Sequence, residues 1–185
     1  MKRLSGIKDV QEASEGFKRP EAGGYICKIT YVEDIAEKEY LHIEYDFAEG
    51  DFKDYYKELK EKKGFWLGRF YKSYKEKALP FFKAFCTAVT ESNDKYIFDG
   101  DEHADEKTLV GKKIGLVLGE EEFIKGDGSI GTRLYVANTF SVDRIRKGDF
   151  KVPEYKHLQG SCTPDANEEY ITPPTPSLED ELPFK

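Results

Sequence analysis

From Glu39 to Ala48 the chain alternates without a break. Leu41, Ile43, Tyr45 and Phe47 are apolar, and His42, Glu44 and Asp46 between them are polar. Side chains of a strand point to opposite faces at every second residue, so this stretch buries one complete face only as a β-strand lying on a core. A helix would scatter the same four apolar residues around its axis. Gly24 to Ile35, with Tyr25, Ile26, Ile29, Tyr31 and Val32, reads as the strand before it, entered through Pro20 and the Gly23-Gly24 pair. After a turn at Glu49-Gly50-Asp51 come a short extended piece, Phe52 to Tyr56, and a charged connection, Lys57 to Lys63. Gly64 to Tyr71 then reads as a third strand.

Ser73 and Glu76 have the spacing of a capping box, and Leu79, Phe82, Phe85, Cys86 and Val89 recur at helical intervals as far as Glu91. Pro80 leaves two starts open: an irregular first turn, or a helix beginning at Leu79 with Pro80 in its first turn. Tyr96 to Glu106 is an acidic loop. Lys112 to Phe123 and Arg133 to Val142 are two more strands, joined by the turn Lys125-Gly126-Asp127-Gly128. Three strands, a helix and two strands predict a mainly β fold, a five-stranded OB-type Greek-key barrel with one helix between strands 3 and 4. The expected division is an N-terminal arm at 1–19, a domain at 20–158 and a tail at 159–185. The linker Thr172-Pro173-Pro174-Thr175-Pro176 is too stiff and polar to join a core.

The formal charge of -7 argues at first against a polyanionic partner, but its distribution reverses that. Residues 161–185 carry six acids and one base, whereas residues 53–83 carry ten bases and four acids. Local field decides where a polyanion lands. The same segment holds nine aromatics: Tyr55, Tyr56, Phe65, Trp66, Phe70, Tyr71, Tyr74, Phe81 and Phe82. Single-strand binding needs this mixture, because bases stack on rings for about 1–3 kcal/mol each while cations follow the phosphates. The expected DNA-binding set is Lys53, Tyr55, Tyr56, Lys57, Trp66, Arg69, Phe70, Tyr71, Lys72, Lys75 and Lys77, with Arg144, Arg146, Lys147 and Lys151 prolonging the track. Alternation puts Phe65, Leu67, Arg69 and Tyr71 on one face and Trp66, Phe70 and Lys72 on the other. Both faces are aromatic, so the sequence leaves open which one is the core.

Catalysis finds no footing: there is no nucleophile elbow, P-loop, dinucleotide-binding glycine pattern or HExxH. No enzyme activity, cofactor or metal is expected. The acidic loop Asp99 to Glu106 has neither EF-hand nor zinc spacing. Cys27, Cys86 and Cys162 form no CxxC pair, and the first two read as buried free thiols. No stretch approaches the roughly 20 apolar residues of a membrane helix. Met1 to Ala13 lacks a signal peptide's apolar region, so a cytoplasmic protein is expected.

The tail closes on Glu179, Asp180, Glu181, Leu182, Pro183 and Phe184, acids followed by an apolar tip. Such a peptide suits a pocket with a basic rim. Asp180-Glu181-Leu182-Pro183-Phe184 resembles the acidic tip of bacterial single-stranded DNA-binding proteins. The resemblance implies docking of helicases, primases, nucleases and recombination mediators. Lys185 departs from that pattern by displacing the terminal carboxylate from the phenylalanine. Four stretches of the body carry a second likeness: Glu21-Ala22-Gly23-Gly24-Tyr25-Ile26, Tyr45-Asp46-Phe47-Ala48-Glu49-Gly50, Phe70-Tyr71-Lys72-Ser73-Tyr74-Lys75-Glu76-Lys77-Ala78-Leu79-Pro80-Phe81-Phe82 and Phe150-Lys151-Val152-Pro153-Glu154. They resemble a family of small phage and prophage proteins of Gram-positive hosts, generally taken as single-stranded DNA-binding proteins. The likeness spans most of residues 15–158 and implies a part in phage DNA replication or recombination in the bacterial host cell. Homo-oligomerisation stays open. The competing expectation is a protein-interaction adaptor or phage assembly protein that binds no nucleic acid.

Overall fold

The computed structural model describes residues 18–64, 66–101 and 104–158. The N-terminal arm, apart from Lys18 and Arg19, and the acidic tip Glu179 to Phe184 lie outside them, as do Phe65, Glu102 and His103. The chain is mainly β. Strands β1 (Gly23–Ile35), β2 (Tyr40–Phe47), β3 (Arg69–Ser73), β4 (Lys113–Ile124) and β5 (Ile130–Phe140) form one open antiparallel sheet in the order β3-β2-β1-β4-β5. Three strands in succession with the fourth returning beside the first is Greek-key order. Helix α1 (Tyr55–Lys63) follows β2, α2 (Leu79–Glu91) joins β3 to β4, and α3 (Val142–Arg146) follows β5. The helix between strands 3 and 4 is therefore where the sequence placed it, and α1 and α3 are additions.

The alternation of β2 decides the layers. Leu41, Ile43, Tyr45 and Phe47 are all buried in the core, together with Cys27, Ile29 and Val32 of β1 and Ile114, Leu116 and Leu118 of β4. Helix α2 covers this face, packing on β3, β4 and β5 with Phe82, Phe85, Cys86 and Val89 turned inward. It begins at Leu79 with Pro80 in its first turn, the second of the two starts. The capping box does not form: the Ser73 hydroxyl instead accepts from the Lys75 N–H at 3.3 Å. Burial pushes the Cys86 thiol up to about 11 and Cys27 well above its ordinary value, so both are inert packing residues.

The segment expected to be an extended piece and a charged connection is helix α1, and the reason is tertiary. The Asp46 carboxylate, reaching from β2, accepts from the Tyr56 N–H at 2.9 Å and the Lys57 N–H at 3.0 Å. These are orphan donors of the first helical turn. It also accepts from the Phe47 N–H at 2.9 Å. Burial raises the carboxyl of Asp46 above its ordinary value, and the three N–H bonds pull against that rise. Tyr56 and Leu59 anchor the helix in the core. Strand β3 starts later than expected, at Arg69; the Gly68 before it lies against the Tyr45 carbonyl and the Tyr56 ring with no space for a side chain, and its carbonyl accepts from the Tyr45 N–H at 2.8 Å.

The stretch after β5 that carries Arg144, Arg146, Lys147 and Lys151 is a strap. Helix α3 and the residues after it cross the face of β1 and β4 opposite α2. Phe150 lies on Gly24, Ile145 on Gly115 and Pro153 on Gly119, each occupying the space a Cβ would need. Val117, between two of those glycines, is fully buried beneath the strap. At its end Lys156 bridges to β4, its N–H donating to the Glu120 carbonyl at 3.0 Å.

Candidate nucleic-acid interface

With α2 on one face and the strap over half of the other, what stays open is the outer face of β1, β2 and β3. A register shift between Ile29 and Tyr31 inverts the alternation of β1, so Ile29 and Val32 both point to the core and Tyr31 points out. Tyr40 and His42 leave β2 on the same side, and Arg69 and Tyr71 leave β3, where His42 pairs with Tyr71 and Glu44 with Arg69. Four rings thus run across three strands. Tyr31 meets His42 at 6.2 Å, His42 stacks on Tyr71 at 5.2 Å, and Tyr71 meets Tyr40 edge-on at 5.1 Å. Tyr31 is 45% exposed and the other three rings are half-buried. His42 Nδ1 lies 3.9 Å from Glu33, and its Nε2 has no partner among the described residues.

The expected binding set divides between this face and the interior. Arg69 and Tyr71 belong to the outer platform. Phe70 is buried against Phe85 and Tyr45, and Tyr56 is buried against Tyr45 and Phe47, so neither ring offers a face to a base. Their expected stacking role is corrected to a core role, fixed by alternation in β3 and by the docking of α1. Burial accordingly pushes the Tyr56 phenol up to about 12. Lys72 shares the inner side of β3, its Nζ 6.0 Å from the centres of both the Phe70 and Phe85 rings. Desolvation holds it down to about 8. Trp66 is half-buried, packed on the core, with its indole N–H donating to the Gly68 carbonyl at 2.9 Å and Lys60 5.7 Å from its ring.

Lys53, Lys57, Lys75 and Lys77 are exposed, and among the described residues none has an ion-pair partner. Lys75 continues the line of β3 just past Ser73. Lys53 and Tyr55 are elsewhere, lining with Lys18, Asp51, Phe52 and Glu58 a hollow of about 190 Å³ beside α1. Two of the cations expected to prolong the track are engaged in ion pairs. Arg144 binds Asp149 at 3.0 Å and Arg146 binds Glu49 at 3.1 Å. Lys147 and Lys151 are exposed.

The platform itself is not cationic, because Lys28 and Arg69 share it with Glu33 and Glu44, and Asp46 stands opposite Lys28. Tyr31, Tyr40 and His42 were not in the expected set. For Tyr40 and His42 the signal was present as the polar face of β2, but reading that face as simple solvent exposure missed the rings it holds; Tyr31 belongs to β1. Among the described residues no three His, Cys, Asp or Glu side chains converge as a metal site, and no helix is long and apolar enough to cross a membrane. The sequence matches no family model and no curated protein.

Proposed function

We propose that this protein binds single-stranded DNA without sequence preference, stacking bases on the outer face of β1–β3. The observation that carries the reading is the continuous row of Tyr31, His42, Tyr71 and Tyr40 beside Arg69. Every base has a π-face, so a row of rings accepts any sequence. The sheet is read as an OB-type barrel left open between β3 and β5. Its Greek-key order and the helix after β3 support that reading, and the strand 2–3 face is where OB folds bind oligonucleotides.

Binding is passive, with no chemical step. Lys75 and Lys77 meet phosphates leaving the platform, and Lys57 and Lys60 with Trp66 offer a second contact at the start of β3. In this reading the tip Glu179 to Phe184 recruits replication or recombination proteins in the cytoplasm of a phage's bacterial host. That part rests on the resemblance of the sequence alone.

The test is anisotropy of a labelled polythymidine oligomer titrated with the full chain at two salt concentrations, against a duplex of equal length. Preferential binding of the single strand, weakened in Tyr40→Ala and Tyr71→Ala variants, supports the proposal. Equal affinity for both nucleic acids, or single-strand binding untouched by both substitutions, rejects the platform. The presence of Glu33 and Glu44 beside Lys28 and Arg69 favours a second reading, a protein-binding adaptor, should no nucleic acid bind.

A further inference from the structure

We infer that the free edge of β5 is a self-association surface, on which a second copy of this chain pairs its own β5 antiparallel. β5 ends the sheet, and among the described residues no backbone group bonds to the edge turned away from β4. The other end of the sheet is guarded. β3 spans only Arg69–Ser73 and carries Arg69 and Lys72, whereas α2 packs on the inner side of both end strands and so does not distinguish them. β5 spans Ile130–Phe140 with no proline and no lysine. Its only charge is Arg133, held by Glu121 of β4 at 2.7 Å. Short length, lysine and proline are the usual shields of a sheet edge, and β5 has none of them.

The register between β4 and β5 slips at Ala137, which leaves Ile130 to Val136 as the regular stretch. At its head Ile124 and Ile130 face each other across the hairpin, 65% and 62% exposed. A second copy is the occupant these features fit. An edge paired antiparallel with itself meets matching donors and acceptors about a two-fold axis, so no separate complementary surface is required. Arg133 is already neutralised within its own hairpin, so two copies approach without like-charge repulsion. The axis stands perpendicular to the sheet, so both ring platforms face the same side of one continuous sheet. The inference is independent of whether those platforms bind DNA.

Sedimentation of the full chain from about 1 to about 100 µM tests it, the range in which a modest interface assembles. The expected result is a reversible dimer whose amides at 131–136 exchange more slowly as concentration rises. In the double variant Ile124→Lys, Ile130→Lys the dimer should weaken at least about tenfold, with an unchanged circular dichroism spectrum because both side chains are exposed. A chain that stays monomeric throughout overturns the inference, whether or not its β5 amides are protected. So does a dimer that the double variant leaves intact.

Discussion

On β2 and β3 the side facing α2 carries Tyr45, Phe47 and Phe70, and the side facing away carries Tyr40, His42 and Tyr71. The residue types are nearly the same. The inner rings touch one another in a closed set: Phe47 alone meets Tyr25, Tyr45, Phe52, Tyr55 and Tyr56 at centroid distances between 5.0 and 6.2 Å. The outer rings form a single row instead, from Tyr31 through His42 and Tyr71 to Tyr40, with Tyr31 the most exposed. An aromatic-rich segment therefore has two uses, and strand parity, not composition, assigns each ring to one of them.

The sharpest way to break this comparison is to truncate one ring on each side. Phe47→Ala should cost about 3–5 kcal/mol in urea unfolding, because it removes a fully buried ring and leaves a cavity. Tyr71→Ala, on a half-buried ring, should cost under about 1 kcal/mol of stability. A larger loss at Tyr71 than at Phe47 would invert the assignment of faces. Next in size is Asp46→Ala, which strips the acceptor from the N–H groups of Phe47, Tyr56 and Lys57. The expected loss is about 2–3 kcal/mol, with faster amide exchange confined to the start of α1.

For function, Tyr71→Ala should lose about 1–3 kcal/mol of oligonucleotide affinity, read by anisotropy. Lys72 tests the inner side with the opposite expectation. Its ammonium is held down to about 8 against an ordinary 10.5, so the charged form costs stability below pH 8. That cost fades as pH climbs from 8 toward 10.5, because the folded state releases the proton first. Lys72→Met should therefore stabilise the fold at pH 7 by about 1 kcal/mol, allowing for partial exposure, and the gain should vanish near pH 10.5. Its effect on DNA binding should be negligible, and a large loss of affinity would move Lys72 back into the site. The smallest effect belongs to Glu33→Gln and Glu44→Gln. Each should tighten oligonucleotide binding about twofold at low salt by shifting the platform toward positive.

How much of this was legible in the sequence varied with how local the cause was. β2 was readable because its period is written in consecutive residues. The start of α2 was readable once Pro80 was allowed in the first turn. Helix α1 was not, because its N-terminus is held by Asp46 of another element and its surface is otherwise charged, with only Tyr56 and Leu59 buried. Tyr31 was hidden by the register shift after Ile29, which sends its ring outward where uninterrupted alternation would send it in. The choice between the two aromatic faces of β3 depends on which side α2 covers, and no residue of β3 records that.

The contact of Phe150 with Gly24 has a consequence of its own, since two stretches far apart in the chain meet there with nothing between them. Glycine has no atom left to give up. From the strand side the seam can only be forced apart, never drawn tighter, and any adjustment of fit falls to the ring that rests on it. Gly24, Gly115 and Gly119 should thus be almost wholly intolerant of exchange, while Phe150, Ile145 and Pro153 should accept slimmer substitutes with the strap still seated.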